Sequence, residues 1–169
     1  YGRNRSHRWD GVGYEGQEDD YNSMMGMFAA SLPIWKFTLT GQIFGGENLG
    51  GVQAGCGQTV YYHTPNGLGN EVRTVGGFVD LGYELNDKWS FALGYGFDNP
   101  SDSDISGGVN ANGYPVPGIL FNDRVYVDAF YRITANFKLG LEYAHLMTRY
   151  DDTGDFAANR VQFTAFYDF

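Results

Sequence analysis

Residues 158–169 read ANRVQFTAFYDF, and their apolar side chains recur at every second position. One alternate set is apolar or aromatic: Val161, Phe163, Ala165, Tyr167 and Phe169. The other set carries most of the polar groups: Arg160, Gln162, Thr164, Phe166 and Asp168. Successive side chains of a β-strand point to opposite faces of a sheet, so this alternation predicts a strand with one apolar and one polar face.

The same period of two recurs upstream and predicts an all-β fold. The alternating segments are residues 35–43, 77–85, 89–98, 124–133 and 137–145, with a weaker one at 22–32. No segment shows a convincing helical period of apolar residues. We therefore expect about seven strands, with residues 1–169 forming a single domain.

Charged residues are confined to one alternate set in these segments. The apolar sets contain no Asp, Glu, Lys or Arg. The opposite sets contain eleven charged residues: Lys36, Asp80, Glu84, Asp98, Arg124, Asp128, Arg132, Lys138, Glu142, Arg160 and Asp168. Contact with lipid would impose such an exclusion, because a basic residue on a lipid-facing strand costs about 2–4 kcal/mol at mid-membrane. A soluble sandwich or a lipocalin-like barrel would also exclude charge from its inner face, so alternation alone leaves both possibilities open.

The connections between the predicted strands favour a membrane barrel. Short connections at residues 33–34, 86–88 and 134–136 alternate with long ones at about 45–70, 99–120 and 150–158. Short turns at one end and long loops at the other are typical of an outer-membrane barrel. Aromatic residues flank the short turns or end the chain, as a girdle at the lipid headgroups requires: Trp35, Trp89, Phe137 and Phe169. We therefore predict an antiparallel up-and-down transmembrane β-barrel.

Composition excludes several other classes of protein. Aromatic residues make up 17% of the 169 residues, which is too high for a disordered chain. The single cysteine, Cys56, cannot form an internal disulfide bond. A net charge of −9 disfavours a nucleic-acid partner. No run of about 20 apolar residues is present, so we expect no transmembrane helix.

Three segments resemble bacterial outer-membrane proteins. The strand ending at Phe169 resembles the C-terminal strand that the barrel-assembly machinery recognises. The stretch from 136 to 169, NFKLGLEYAHLMTRYDDTGDFAANRVQFTAFYDF, resembles the closing hairpin of porin-like proteins that include the DcaP-like group. The segments LTGQIFGGENLGG and VGGFVDLGYELNDKWSFALGYGFDNPSD resemble earlier hairpins of that group. The resemblance implies an outer-membrane location, contact with lipid and lipopolysaccharide, a barrel of roughly sixteen strands, and a homotrimer.

The number of strands leaves two architectures open. A closed single-chain bacterial barrel has an even number of strands, with eight as the minimum. Residues 1–14 alternate poorly, and we interpret them as a strand end with its loop. The chain is then the C-terminal half of a larger barrel. A small closed eight-stranded barrel with a structural or adhesive role is the alternative.

On the porin interpretation, the charged alternate set lines a pore for passive diffusion of small hydrophilic solutes or ions. The predicted pore-lining residues are Lys36, Asp80, Glu84, Arg124, Asp128, Arg132, Lys138, Glu142, Arg160 and Asp168. Acidic loops could bind calcium, because this ion prefers oxygen ligands, and the candidates are Asp98, Asp102 and Asp104. These loops contain no EF-hand. No Gly-x-Ser-x-Gly motif is present, and we expect no enzyme activity and no cofactor besides such a calcium ion.

Overall fold

A computed structural model describes residues 2–7, 18–64, 69–110 and 112–169. It contains ten strands: β1 (Gly2–His7), β2 (Glu18–Ile34), β3 (Phe37–Glu47), β4 (Val60–Tyr62), β5 (Gly69–Glu71), β6 (Arg73–Glu84), β7 (Trp89–Pro100), β8 (Ile119–Arg132), β9 (Phe137–Tyr150) and β10 (Gly154–Tyr167). One helical turn, α1 (Asp102–Ile105), and two 3₁₀ turns, Gly50–Val52 and Gly55–Gly57, lie in the long connections. Over the described residues, no helix has the length and apolar content needed to cross a membrane.

Eight strands form one antiparallel sheet in the order β1-β2-β3-β6-β7-β8-β9-β10, and β4 and β5 form a separate hairpin. Apart from the β4–β5 hairpin between β3 and β6, each strand of the sheet pairs with the one before it. The all-β and antiparallel parts of the predicted fold are confirmed. The first and last strands of the sheet each have one paired edge, so the described strands form an open sheet rather than a closed barrel.

The strand register places the predicted apolar sets on one face of the sheet, here called the apolar face. One row across seven strands consists of Leu32, Leu39, Leu81, Leu93, Val127, Tyr143 and Val161. The opposite side, the polar face, carries the intervening residues. From β3 to β10, the charged residues on the apolar face all lie in the half nearer the long connections: Glu47, Arg73, Asp123, Arg149 and Asp155.

The short-turn ends of the strands are staggered in a regular way. Through β6, Phe37 at the start of β3 is in register with Phe91 on β7. Trp89, at the start of β7, therefore lies two residues further toward the short-turn end than Phe37. Trp89 is in turn level with Leu139, so Phe137 at the start of β9 lies two residues lower again. The strand ends therefore shift by one residue, about 3.3 Å, for each strand spacing of about 4.8 Å. If the short turns all lie at one level, this shift corresponds to a strand tilt of about 35°.

Two of the predicted connections are wrong in detail. The turn between β2 and β3 is Trp35-Lys36, with Trp35 at φ 56°, so the first two residues assigned to this strand form its turn. The predicted long loop at 150–158 is a turn of three residues, because Asp152 and Gly154 adopt left-handed φ values of 67° and 86°. The other short and long connections lie where they were predicted.

The two long connections pack against each other and against the sheet. Val72 and Ile105, one from each connection, are fully buried. The Val109 N–H donates to the Tyr62 carbonyl at 2.6 Å, which joins the β4–β5 hairpin to the loop after β7. The predicted loop at residues 8–14 and the first part of the acidic segment, residues 15–17, lie outside the described residues.

Candidate functional site

The polar face holds eight of the ten residues predicted to line a pore: Asp80, Glu84, Arg124, Asp128, Arg132, Lys138, Glu142 and Arg160. The other two lie at the short-turn end. Lys36 is in the β2–β3 turn, and its Nζ donates to the Leu85 carbonyl at 2.8 Å. Asp168 follows β10, and its N–H donates to the Asn136 carbonyl at 3.0 Å.

Tyr126 bridges three strands at mid-height on this face. It pairs with Gly94 on β7, and its hydroxyl donates to Asp80 Oδ2 on β6 at 2.9 Å. A Cβ atom on Gly94 would lie 2.1 Å from Tyr126 Cζ, so the ring crosses β7 in the space that the missing side chain leaves. The Arg124 guanidinium lies 4.5 Å from the centre of the Tyr126 ring. The β7 backbone at Gly94, the Tyr126 ring and the Arg124 cation together are here called the Tyr126 layer.

A second group of charges lies beside this layer on β8, β9 and β10. Arg160 Nη2 donates to Glu142 Oε1 at 2.6 Å in a partly exposed ion pair. Glu142 is paired in register with Asp128, so two carboxylates and one guanidinium are neighbours. Charges of both signs therefore lie at the mid-height of the polar face.

The short-turn end of the polar face is more basic. Lys138 Nζ lies 4.9 Å and 4.7 Å from the ring centres of Phe130 and Phe166, above Gly140. A cavity of about 250 Å³ opens beside Lys138, and Arg132 and Lys36 also line it. Four of the predicted residues, Lys36, Glu84, Arg132 and Lys138, are thus brought together around one cavity, which Asp168 does not line.

Residues 48–59, here called the strap, pack over the opposite end of the polar face. The Cys56 N–H donates to Asp98 Oδ2 at 2.7 Å, and the Thr74 hydroxyl donates to Asp98 Oδ1 at 2.7 Å. The Gln58 side chain donates to the Ile119 carbonyl and accepts from its N–H, both at 2.8 Å. These contacts fix the strap to β7 and to the start of β8.

The environment of Cys56 follows from this packing. Burial under the strap and the neighbouring Asp98 carboxylate raise the pKa of the Cys56 thiol to about 12. Cys56 also adopts a left-handed φ of 55° in the second 3₁₀ turn. Cys56 and Arg124 line one space between the strap and the sheet.

Of the three candidate calcium ligands, two accept hydrogen bonds from different protein groups and the third is exposed to solvent. Asp98 holds the strap, and Asp102 is exposed. Asp104 Oδ1 and Oδ2 accept from Arg73 Nη2 at 2.7 Å and Arg73 Nε at 2.9 Å, and these bonds keep the pKa of the Asp104 carboxyl below its usual value. Within the described parts of the chain, no three His, Cys, Asp or Glu residues are grouped to hold a metal ion. The expectation of loop-bound calcium therefore rests on the loop sequence.

Sequence patterns missed the strap and the Tyr126 layer. The strap has no period and few charges, so it gave no signal of where it would pack. A signal for the layer was present, because Gly94 and Gly96 occupy alternate positions of a strand, and a strand glycine often marks a close approach. The aromatic partner could be identified once the register between β7 and β8 was known.

No protein-family model, curated protein or solved structure matches the chain. Its function therefore has to be inferred from the residues and their geometry.

Proposed function

We propose that this chain forms part of the wall of an outer-membrane β-barrel channel for passive diffusion of small hydrophilic solutes or ions. In this proposal the apolar face contacts lipid and the polar face contacts a water-filled lumen. The observation that carries the proposal is the register, which gathers the alternate apolar residues of seven strands on one face. Three further observations support the proposal: the exposure and height of the apolar face, the tilt of the strands, and the aromatic residues at the short-turn ends.

The apolar face is exposed in the isolated sheet. Side chains in its central row are uncovered to a large extent, with 55% of Leu93 and 70% of Val161 exposed. Exposed apolar surface of this extent marks a contact with lipid or with another protein. Lipid is the partner that we propose, because the central part of the face is both uncharged and continuous across the strands.

The dimensions of this face support the same partner. On β10, the residues of the apolar face are uncharged from Ala157 to Tyr167, a stretch of ten residue steps. Ten steps span about 33 Å, and a strand tilt of 35–45° reduces this height to about 23–27 Å. The apolar band of outer-membrane barrels is about 25 Å tall. The tilt of about 35° obtained from the stagger lies at the lower end of this range.

Aromatic pairs follow the staggered short-turn ends. Phe37 stacks on Tyr83 with ring centres 4.8 Å apart, and Trp89 lies 4.7 Å from Tyr131. Tyr167 contacts Phe169 at 5.1 Å beyond the last strand. Amphipathic rings at this level fit the headgroup boundary of a membrane.

Several wider features belong to the proposal. They are a bacterial outer-membrane location, a larger barrel of roughly sixteen strands, a homotrimer, contact with lipopolysaccharide, and recognition of the C-terminal strand by the barrel-assembly machinery. The Phe169 side chain is fully exposed, so it is available for such recognition. We expect deletion of Phe169 to reduce the amount of assembled barrel in cells, whereas Thr153→Ala, at an exposed turn, should not.

Planar-bilayer recording of the purified full-length protein tests the channel. We expect stepwise conductance that increases with salt concentration. A protein that inserts and shows heat-modifiable migration, yet produces no conductance, would exclude a diffusion channel.

One observation favours the second candidate, a small closed barrel with a structural or adhesive role. Polar-face side chains satisfy one another through the Tyr126–Asp80 and Arg160–Glu142 contacts, as side chains do inside a filled eight-stranded barrel. Insertion without conductance is the result expected for this candidate.

A further inference from the structure

Four cationic side chains surround the cavity at the short-turn end of the polar face. Lys36, Lys88, Arg132 and Lys138 line this cavity of about 250 Å³ together with two carboxylates, Glu84 and Asp87. The charged lining therefore has a net charge of +2. The cations come from three successive short turns or from the strand ends beside them.

Among the described residues, none of these four cations forms an ion pair with a carboxylate. Over the described residues, the ion pairs are Arg73–Asp104 and Arg160–Glu142, and neither involves the cavity. Lys36 and Arg132 donate to backbone carbonyls, at 2.8 Å to Leu85 and 3.5 Å to Asp87. Lys138 lies between two aromatic rings. Four cations against two carboxylates leave an excess of positive charge around the cavity, and this excess favours the binding of an anion.

The cations that line the cavity come from different turns of the sheet. Lys36 reaches the cavity from the β2–β3 turn, Lys88 from the β6–β7 turn, and Arg132 with Lys138 from the β8–β9 hairpin. A flat carboxylate presents two oxygens in one plane, whereas a phosphate presents oxygens in several directions. Arg binds carboxylate and phosphate alike in a bidentate manner, so the reason to favour phosphate is that several separate cations line the cavity.

We propose that this cavity is a binding site for a phosphate group, carried either by a soluble phosphate or by a lipid headgroup at the membrane boundary. Lys36, Lys88, Arg132 and Lys138 supply the positive charge of this site. The site does not depend on the proposed channel, because binding can be measured without conduction.

Equilibrium binding of inorganic phosphate to the folded full-length protein in zwitterionic detergent tests this site. We expect Arg132→Gln to weaken binding about tenfold or more, since a charge-assisted hydrogen bond contributes about 1.5–3 kcal/mol. Lys88→Gln, in an exposed turn, should weaken binding without affecting folding. The matched control is Arg149→Gln, which removes an exposed cation far from the cavity, beside Phe121. Equal binding by the wild type, Lys88→Gln and Arg149→Gln variants would overturn the proposal.

Two further measurements identify the ligand. Succinate should bind more weakly than phosphate at equal concentration, and equal binding would overturn the assignment to a phosphate group. Phosphate binding is then measured in nanodiscs of phosphatidylglycerol or phosphatidylcholine. Because both lipids carry a phosphodiester, loss of binding in both nanodiscs relative to detergent assigns the site to a lipid headgroup, and binding that is retained in phosphatidylcholine assigns it to a soluble phosphate.

Discussion

The two faces of the sheet differ in what their side chains contact. On the apolar face, the row through Leu81 and Leu93 contains seven side chains without a charge, and many of its members are more than one third exposed. On the polar face, Tyr126 and Glu142 contact specific partners on neighbouring strands. The apolar face therefore requires an external environment, whereas the polar face forms an internal network. Substitutions on the two faces should therefore destabilise the protein for different reasons.

The largest effect is expected from a charge on the apolar face. We expect Phe163→Arg to destabilise the membrane-inserted state by about 2–4 kcal/mol, because the guanidinium would lie in hydrocarbon. The adjacent Thr164→Arg places the same side chain on the polar face and serves as the matched control. The measurement is the folded fraction in liposomes, read from heat-modifiable migration on gels. Equal folding of the two variants would contradict the assignment of faces.

The second effect tests the close packing of the polar face. We expect Gly94→Ala to cost about 1–3 kcal/mol of unfolding free energy, because the new methyl group would overlap the Tyr126 ring. The control is Gly96→Ala on the same strand and face, where the nearest atom would be Phe78 Cβ at 3.5 Å, an ordinary contact. Urea titration of both variants in lipid measures the difference. A similar loss in the two variants would show that Tyr126 is not held by the glycine.

The faces were predictable because their signal is local. Alternation along each strand assigned Phe163 and Thr164 to opposite sides without knowledge of any partner. Trp35 was assigned to a strand because it continued the alternation of Phe37 and Leu39, although its left-handed φ makes it a turn residue.

The loop contacts were not predictable because they join distant residues. Asp98 had the sequence context of a calcium ligand, yet its oxygens accept from Thr74 and Cys56, which belong to β6 and the strap. Such contacts depend on how two long connections pack, and no period or motif in the strap encodes that packing. The candidate site was thus predictable as a set of residues on one face, while its internal partners were not.

The third prediction concerns the part of the polar face that the strap covers. With a pKa of about 12, Cys56 is almost entirely protonated near neutral pH, so alkylation of the folded protein should be at least about tenfold slower than that of the unfolded chain. Asp98→Asn removes the neighbouring charge and should accelerate alkylation. The control is Asp102→Asn in the same acidic segment. Equal alkylation rates for the two variants would show that Asp98 does not govern the thiol.

This thiol also gives a pH dependence with a defined sign. A raised pKa means that the folded state favours the protonated thiol, so its contribution to stability is complete below the unfolded pKa of about 8.5. The contribution is lost as the pH rises toward 12. The free energy of unfolding of the wild type should therefore fall relative to that of Cys56→Ser as the pH rises toward 12.

The smallest effect on folding, and the one most specific to the polar face, is expected at the Arg160–Glu142 pair. Because the pair is partly exposed, breaking it should change stability by less than about 1 kcal/mol. Conduction should respond more clearly, since each single variant leaves an uncompensated charge on the proposed lumen wall. We expect Arg160→Gln to shift selectivity toward cations and Glu142→Gln to shift it toward anions, as measured by reversal potentials under a salt gradient. Both shifts should shrink as the Debye length falls from about 10 Å at 0.1 M salt to about 3 Å at 1 M. Shifts of the same sign in the two variants, or none at low salt, would mean that this part of the polar face does not contact the permeating ions.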